Sequence, residues 1–299
     1  MKEYFCGLLA YFKNERNGLN EWIMHHKKWG VEHIWLIDNG SCDDYDISDH
    51  INEGFVTVFE EKTMGQIKAY QKYLPELKQK VKWLGIVDMD EYMFSKKEDD
   101  LKTILKTIND DITQILIQIK IFYPQTFLSP KSLIEKSTYY CAGSRWHPKC
   151  FYNLDLVDIN QGDMVHGLGK EMREKGTIDI DMNSKKLCIN HYQFGSFEYL
   201  YGIKEGRGGG VHKDKYRKKQ NIVNGPEKFD TYLRDCSPDI IENCKLVPPK
   251  TELYPKTTWQ KLQKEYPEKF ELYKTYGNEE GILSLDKIKE INNFMETIK

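Results

Sequence analysis

The first ninety-five residues of the chain alternate between two hydrophobic periods. Phe5 to Phe12 is a short apolar run of the kind that forms a strand buried on both faces. Leu19, Trp22, Ile23 and His26 then recur at helical spacing and stop at Gly30, a residue suited to a helix C-cap. Ile34 to Ile37, Phe55 to Phe59 and Trp83 to Val87 are three further short apolar runs, and Ile67 to Leu77 predicts a helix that reaches Pro75 or its surroundings. Strand and helix in alternation predict a mainly parallel sheet with helices on its faces. Further on, Leu101, Ile104, Leu105 and Ile108 form a helix face, and Ile115, Ile117, Ile119 and Ile121 alternate as one strand with a side toward a core. Residues 139–200 read as short strands broken by Gly and Pro. From 204 to 250 the chain is rich in Gly and Lys and then punctuated by Pro, and 257–299 returns to helical periodicity.

Composition narrows the class. The chain has 299 residues, 39% apolar and 30% charged, enough apolar material for a sizeable core and against disorder. Lys and Arg number 44 against 46 Asp and Glu, a formal net charge of −2. That balance provides no footprint for a long nucleic acid, so any polyanion site is local. The seven Cys are scattered with no C-x-x-C pair, which predicts neither a disulfide framework nor a zinc ribbon and fits a reducing compartment. No window offers the roughly 18 apolar residues of a membrane span, and Phe5 to Phe12 runs into Lys13-Asn14-Glu15-Arg16 without a cleavage site, so a cytoplasmic location is expected.

The acidic residues fall where the predicted strands end, the edge at which open parallel sheets bind ligands. The second strand ends at Asp38 in DNGSCDD and the fourth in Asp88-Met89-Asp90-Glu91. In extended backbone Asp88 and Asp90 leave the same face, where two carboxylates can share a hard divalent cation that clamps a diphosphate. The stretch 204–219 carries seven basic residues (Lys204, Arg207, Lys213, Lys215, Arg217, Lys218, Lys219) against Glu205 and Asp214, with four glycines at 206 and 208–210. A Gly-rich basic segment of that kind can fold over a diphosphate. Lys213 to Lys219 also suits contact with an anionic membrane surface.

Several motifs in order carry a family resemblance. Asn14-Glu15, Glu21-Trp22 and His25-His26, GVEHIWLIDNGSCD, WLGIVDMDEYMF and, at 190–208, NHYQFGSFEYLYGIKEGRG resemble GT-A glycosyltransferases of the family 2-like group related to glycosyltransferase family 92. The resemblance covers about residues 4–208. It implies a GT-A fold with a β-rich acceptor half: a catalytic domain over 1–250, with a nucleotide-sugar half at about 1–95, an acceptor half at about 96–210 and a mobile basic loop at about 204–220, after which the helical periodicity reads as a helical C-terminal extension at 251–299. Glu15 and Asp38 would then lie in the nucleotide pocket, Asp38 facing the base. Asp88 would approach the ribose, Asp90 the metal (Mn²⁺ or Mg²⁺), and His191 would complete the metal's protein ligands together with the carboxylates of the DxD motif. Lys204 and Arg207 would face the diphosphate.

The implied activity is transfer of a hexose from a nucleotide sugar, UDP-linked by expectation, to a saccharide or lipid-linked saccharide in surface glycan synthesis, with inversion. Inversion needs a base for the acceptor hydroxyl. Glu198 and Asp163 both qualify, and the sequence does not choose between them. His147, Lys149 and His166 are expected at the acceptor, with Trp146, Tyr152 and Tyr192 as candidate sugar platforms.

The rival readings fail on particular residues. A haloacid dehalogenase-type phosphatase would place its DxD after the first strand, and an EF-hand from Asp38 meets Gly40 and Cys42 at ligand positions. Gly167 to Lys170 lacks the P-loop spacing. A sugar-phosphate nucleotidyltransferase would carry a Gly-rich basic loop after the first strand, where no glycine occurs before Gly18. An inactive glycan-binding relative would have no need to keep both carboxylates of DMDE.

Overall fold

The structure is a computed structural model and describes residues 2–95, 100–117, 119–137, 139–141, 148–160, 164–165, 177–180, 187–193, 195–207, 229–231, 238–277 and 281–299. The predicted front half forms in order. Strand β1 is Tyr4–Phe12, helix α1 Leu19–Lys28, β2 His33–Asp38, α2 Ser48–Asn52, β3 Val56–Glu60, α3 Gln66–Lys80, β4 Val81–Ile86 and β5 Glu91–Ser95. Then follow α4 (Leu101–Lys106), β6 (Gln114–Ile117), β7 (Ile119–Ile121), α5 (Leu133–Lys136), β8 (Tyr139–Cys141), β9 (Lys149–Asn153), β10 (Thr177–Ile180) and β11 (Leu187–His191). A helical run over 197–207 contains a π-helical turn at Leu200–Lys204, and β12 (Phe229–Thr231) pairs with β8. The C-terminal part is helical, with α6 (Pro238–Asn243), α7 (Thr258–Glu265), α8 (Pro267–Lys274) and α9 (Leu285–Ile298).

The main sheet has seven strands in the order β10-β6-β9-β4-β1-β2-β3. Its strands run parallel except β9, which is antiparallel to both neighbours. Alternate side chains of β1 enter two separate cores: Cys6, Leu8, Ala10 and Phe12 face α1, while Leu9 packs with Trp35, Leu84 and the α3 residues Tyr70, Leu74 and Leu77. That two-sided burial explains the unbroken apolar runs of β1 and β2. The sheet centre is tight: a Cβ on Gly85 would lie 2.8 Å from both Leu8 and Phe151. The mainly parallel α/β sheet expected from the strand and helix periods is what the chain forms.

Three local outcomes refine the sequence reading. Helix α1 ends as predicted, with Gly30 at φ +81° and the Val31 amide donating to the His26 carbonyl at 3.1 Å. Helix α3 runs through Pro75 to Lys80. Pro75 and Gln71 are both exposed, so the carbonyl that loses its helical donor faces water. The isoleucine alternation from 115 to 121 divides between β6 in the main sheet and β7 in a second, three-stranded sheet, β5-β11-β7. All four isoleucines stay buried because the chain passes from one sheet to the other.

The C-terminal helices build a third core. Trp259, Leu262, Tyr273, Ile288, Ile291 and Met295 pack with Phe127, Phe197 and Tyr201, so the helical run at 197–207 rests on residues far ahead in sequence. Among the described residues, no helix is long and apolar enough to cross a membrane.

Candidate active site

Strands β1, β2 and β3 step outward in one direction from β1, whereas β4 lies on its other side. The crevice beyond the carboxyl ends of β1 and β4 is therefore the point at which strand order reverses, where open α/β sheets place their ligands. The turn after β4 carries Asp88, Asp90 and Glu91, and the loop after β1 carries Asn14 and Glu15.

Two lysines neutralise the acidic turn. Register pairs Ile86 with Cys150, which brings Lys149, at the start of β9, level with the residues that follow β4. Its ammonium lies 2.8 Å from Asp88 Oδ2 and 3.2 Å from Glu91 Oε2, with only 1% of the side chain exposed. Burial alone would discharge it, but the two carboxylates overcome that and hold it charged, with its pKa raised above the ordinary lysine value. The other Asp88 oxygen accepts from Gln66 Nε2 at 3.0 Å. Glu91, 1% exposed, accepts the Asp88 amide at 2.8 Å, and burial raises its carboxyl against the opposing pull of Lys149.

Asp90 has a different set of partners. Antiparallel pairing of β5 with β11 sets His191 opposite Glu91, and the Tyr192 amide donates to the Asp90 carbonyl at 2.7 Å. His191 Nε2 comes within 3.3 Å of Asp90 Oδ1, and Lys204 Nζ bonds Asp90 Oδ2 and the Gln193 carbonyl. Burial works to raise the Asp90 carboxyl, but the Lys204 charge and His191 prevail and hold it well below the usual carboxylate range.

A second charged group adjoins β1. Arg207 Nη1 lies 2.5 Å from Glu15 Oε1 and donates to the Lys13 carbonyl at 2.7 Å, while Nη2 donates to the Tyr199 hydroxyl at 2.9 Å. That hydroxyl in turn donates to Glu15 Oε2 at 2.6 Å. Burial pushes the Glu15 carboxyl up even so. Asp38 ends β2 in an Asx turn: Oδ1 accepts the Ser41 amide at 2.7 Å and Oδ2 the Tyr45 hydroxyl at 3.1 Å.

The structure thus brings Asp88, Asp90, His191 and Lys204 to one turn, and Glu15 and Arg207 to the neighbouring loop. Lys149, expected at the acceptor, is instead spent on Asp88 and Glu91 and has almost no surface left for a ligand. Tyr152 and Tyr192 are core residues: Tyr152 donates to the Met164 carbonyl, and Tyr192 packs on Tyr92 and Phe122. Glu198 accepts the Ser129 amide at 2.9 Å, and burial raises its carboxyl. Asp163, His147, His166, Trp146 and the basic residues at 213–219 lie outside the described residues. Sequence reasoning did not single out Gln66, Tyr199 or Tyr254. Tyr199 stands beside Glu198 in the quoted motif, and nothing local marks the other two.

Among the described residues, no group of three or more His, Cys, Asp or Glu is arranged to hold a metal ion. Asp90 and His191 nevertheless pair a hard carboxylate oxygen with an imidazole, a donor set that fits Mn²⁺ and also accepts Mg²⁺ when water and phosphate supply the remaining positions.

The family model for glycosyltransferase family 92 matches residues 4–270, most of the chain. The chain belongs to glycosyltransferase family 92. A family 92 protein from rice (Oryza sativa subsp. japonica) is 20% identical over 214 residues, which are 69% of this chain and 36% of that protein. This family 92 chain therefore spans about a third of the length of that curated relative. Among solved structures, residues 1–349 of S. aureus TarS superpose with a TM-score of 0.42 at 15% identity, over 75% of this chain and 70% of the other. GalNAc-T7 with UDP, GalNAc and Mn²⁺ gives 0.41 at 13% identity, over 62% and 43%. Likenesses at those scores carry no weight of their own; the family 92 assignment rests on the sequence match.

Proposed function

We propose that this family 92 chain transfers a hexose from a nucleoside diphosphate sugar, UDP-linked as the first choice, to a saccharide or lipid-linked saccharide in surface glycan synthesis. The observation that carries the reading is the pairing of Asp90 with His191 and Lys204, next to Glu15 with Arg207, at the carboxyl ends of β4 and β1. Carboxylate, imidazole and two cations around one crevice suit a diphosphate that arrives with a divalent cation. Asp90 and His191 would hold Mn²⁺ or Mg²⁺, and the cation would supply Lewis-acid neutralisation of the leaving diphosphate. Lys204 and Arg207 would receive the diphosphate oxygens, and Asp88, fixed by Gln66 and Lys149, would face the ribose. Asp38, beside Tyr45, would face the base.

For an inverting transfer the acceptor hydroxyl must lose its proton as the sugar departs. Glu198, whose carboxyl is raised by burial while the Ser129 amide holds one of its oxygens, is one candidate base. Asp163 is the competing candidate, and His147 and His166 remain proposed acceptor contacts. The nucleotide-sugar half would end near residue 95, the acceptor half near 210 and the catalytic domain near 250. A cytoplasmic setting with peripheral membrane contact through Lys213 to Lys219 completes the proposal.

A panel of nucleotide sugars, each with Mn²⁺ and with Mg²⁺, tests the reading by donor hydrolysis and by the anomeric configuration of the product. Metal-dependent hydrolysis of one donor supports it. Failure to bind or cleave any nucleoside diphosphate sugar overturns it.

A further inference from the structure

The loop after β1 is fixed more completely than a loop that only connects elements requires. Asn14 has φ +54° in the left-handed region and is almost wholly buried. Its amide donates to Ser41 Oγ at 3.0 Å, its Oδ1 accepts the Cys42 amide at 2.8 Å, and its Nδ2 donates to the Tyr254 hydroxyl at 2.6 Å. A non-glycine residue held in a sparsely populated backbone region by three separate partners marks a position whose geometry is over-determined. Two of those partners belong to the loop that follows Asp38. The third comes from a segment 240 residues away.

That segment, 250–258, touches the other wall of the crevice as well. The Tyr254 ring lies against Gly206 so closely that a Cβ there would fall 2.4 Å from Tyr254 Cβ, and Thr251 sits as tightly on Gly202. Glu205 accepts from the Thr258 amide at 2.9 Å and the Thr258 hydroxyl at 3.0 Å. Lys250 pairs with Asp44. Residues 250–258 therefore form a strap joined on one side to the loops carrying Asn14, Glu15 and Asp38, and on the other to the turn carrying Lys204 and Arg207.

We propose that Tyr254 is a positioning residue of the donor site: through Asn14 it fixes the loop after Asp38, and through Gly206 it fixes the backbone that carries Lys204 and Arg207. The inference rests on the nucleotide-sugar reading. It assigns to the C-terminal region a part in donor binding that the motifs at residues 4–208 do not contain.

Tyr254→Phe removes the hydroxyl and keeps the ring on Gly206, so the protein stays folded with its thermal midpoint lowered by no more than about 2–4 °C. Two readouts then separate position from stability. Amide exchange at Cys42, followed by NMR on the unliganded full chain, is expected to accelerate. The dissociation constant for UDP, measured by calorimetry with GDP as a second probe, is expected to rise about three- to tenfold, the range of one hydrogen bond. In an Asn14→Ala background, Tyr254→Phe is expected to add no further loss, because both changes remove the same link. Wild-type exchange at Cys42 in Tyr254→Phe overturns the proposal whatever the nucleotides do. Accelerated exchange with unchanged UDP affinity, in a protein whose wild type binds UDP, overturns the donor role. If the wild type binds neither probe, the nucleotide-sugar reading falls, and the donor role of Tyr254 with it, while the exchange result still decides whether the link through Asn14 operates.

Discussion

His25 is a neutral histidine that folding keeps away from protons, and its replacement has a calculable pH signature. Its Nε2 donates to the Met93 carbonyl at 2.5 Å and its Nδ1 is buried with no hydrogen-bond partner among the described residues, with Tyr92 and His26 packed on the ring at 5.2 and 5.1 Å. Burial, which costs the charged form its hydration, lowers its pKa from 6.5 to about 4. The unfolded chain takes up the proton near the ordinary value, and the folded protein does not until the pH is much lower. Stability is thus complete above pH 6.5 and is lost as the pH falls toward 4. A fall from 6.5 to about 4, at about 1.4 kcal/mol per pH unit, amounts to about 3.5 kcal/mol once both states are protonated.

His25→Phe retains the ring packing and gives up the Met93 hydrogen bond, a loss of about 1 kcal/mol. At neutral pH the variant is expected to be the less stable protein, by that amount. Near pH 4 it is expected to be the more stable by about 2 kcal/mol, with the curves crossing between about pH 5 and 6. His26, whose pKa is lowered by burial and then by the neighbouring His25 charge, keeps only the first of these effects in the variant, which widens the variant's advantage at low pH. Urea denaturation across this pH range measures the two curves. A stability difference that stays constant with pH would refute the reasoning, because it would mean that His25 gains its proton equally well in both states.

Three further outcomes concern the acidic turn, and their common assays are denaturation, calorimetry and donor hydrolysis. Asp90→Ala is expected to abolish metal-dependent nucleotide binding and turnover while the chain remains folded; turnover at the wild-type rate would remove Asp90 from the site. Lys204→Met frees the second Asp90 oxygen, so Mn²⁺ affinity without nucleotide is expected to increase about tenfold, equivalent to about 1.4 kcal/mol, while UDP binds more weakly. Unchanged Mn²⁺ affinity would show that lysine and metal do not share that carboxylate. Lys149→Met leaves Asp88 and Glu91 without their buried cation and is expected to cost about 3–5 kcal/mol in stability, where a loss below about 1 kcal/mol would contradict the assigned ion pairs.

The elements that were legible in sequence are those whose partners are local or periodic. The apolar runs of β1, β2 and β4 had to lie between two helical layers, because no polar side of the strand was left for water. The glycine that ends α1 announced itself by following the last periodic residue. Asp88 and Asp90 could be found because a pair of carboxylates terminates a buried run. What escaped was determined by distant neighbours. Lys149 lies just after His147 and Pro148 in a polar stretch and reads as an acceptor contact; Asp88, 61 positions earlier, and Glu91 together make a buried lysine tenable. Tyr254 follows a Pro-punctuated stretch with no periodic signal, and its partner Asn14 lies near the opposite end of the chain. The division of the isoleucines at 115–121 between two sheets was equally hidden, since alternation specifies that side chains are buried and not which sheet receives them.

The two lysines at the acidic turn are not equivalent, and their burial separates their roles. Lys149 and Glu91 are each 1% exposed, whereas Lys204 and Asp90 are 11% and 14% exposed. Charges fully withdrawn from water seldom add net stability, because the desolvation cost offsets most of their attraction, yet breaking such a pair is costly. The Lys149–Glu91 pair therefore works as a fixed mount: through the Lys149 ammonium it anchors Asp88, whose own side chain is 37% exposed. The outer pair retains access to water, so in the proposed nucleotide-sugar reading its lysine would trade a carboxylate for a phosphate oxygen while Asp90 would trade the lysine for a cation. In that reading Glu91, with Lys149, serves geometry, and Asp90, with Lys204, would serve ligand exchange.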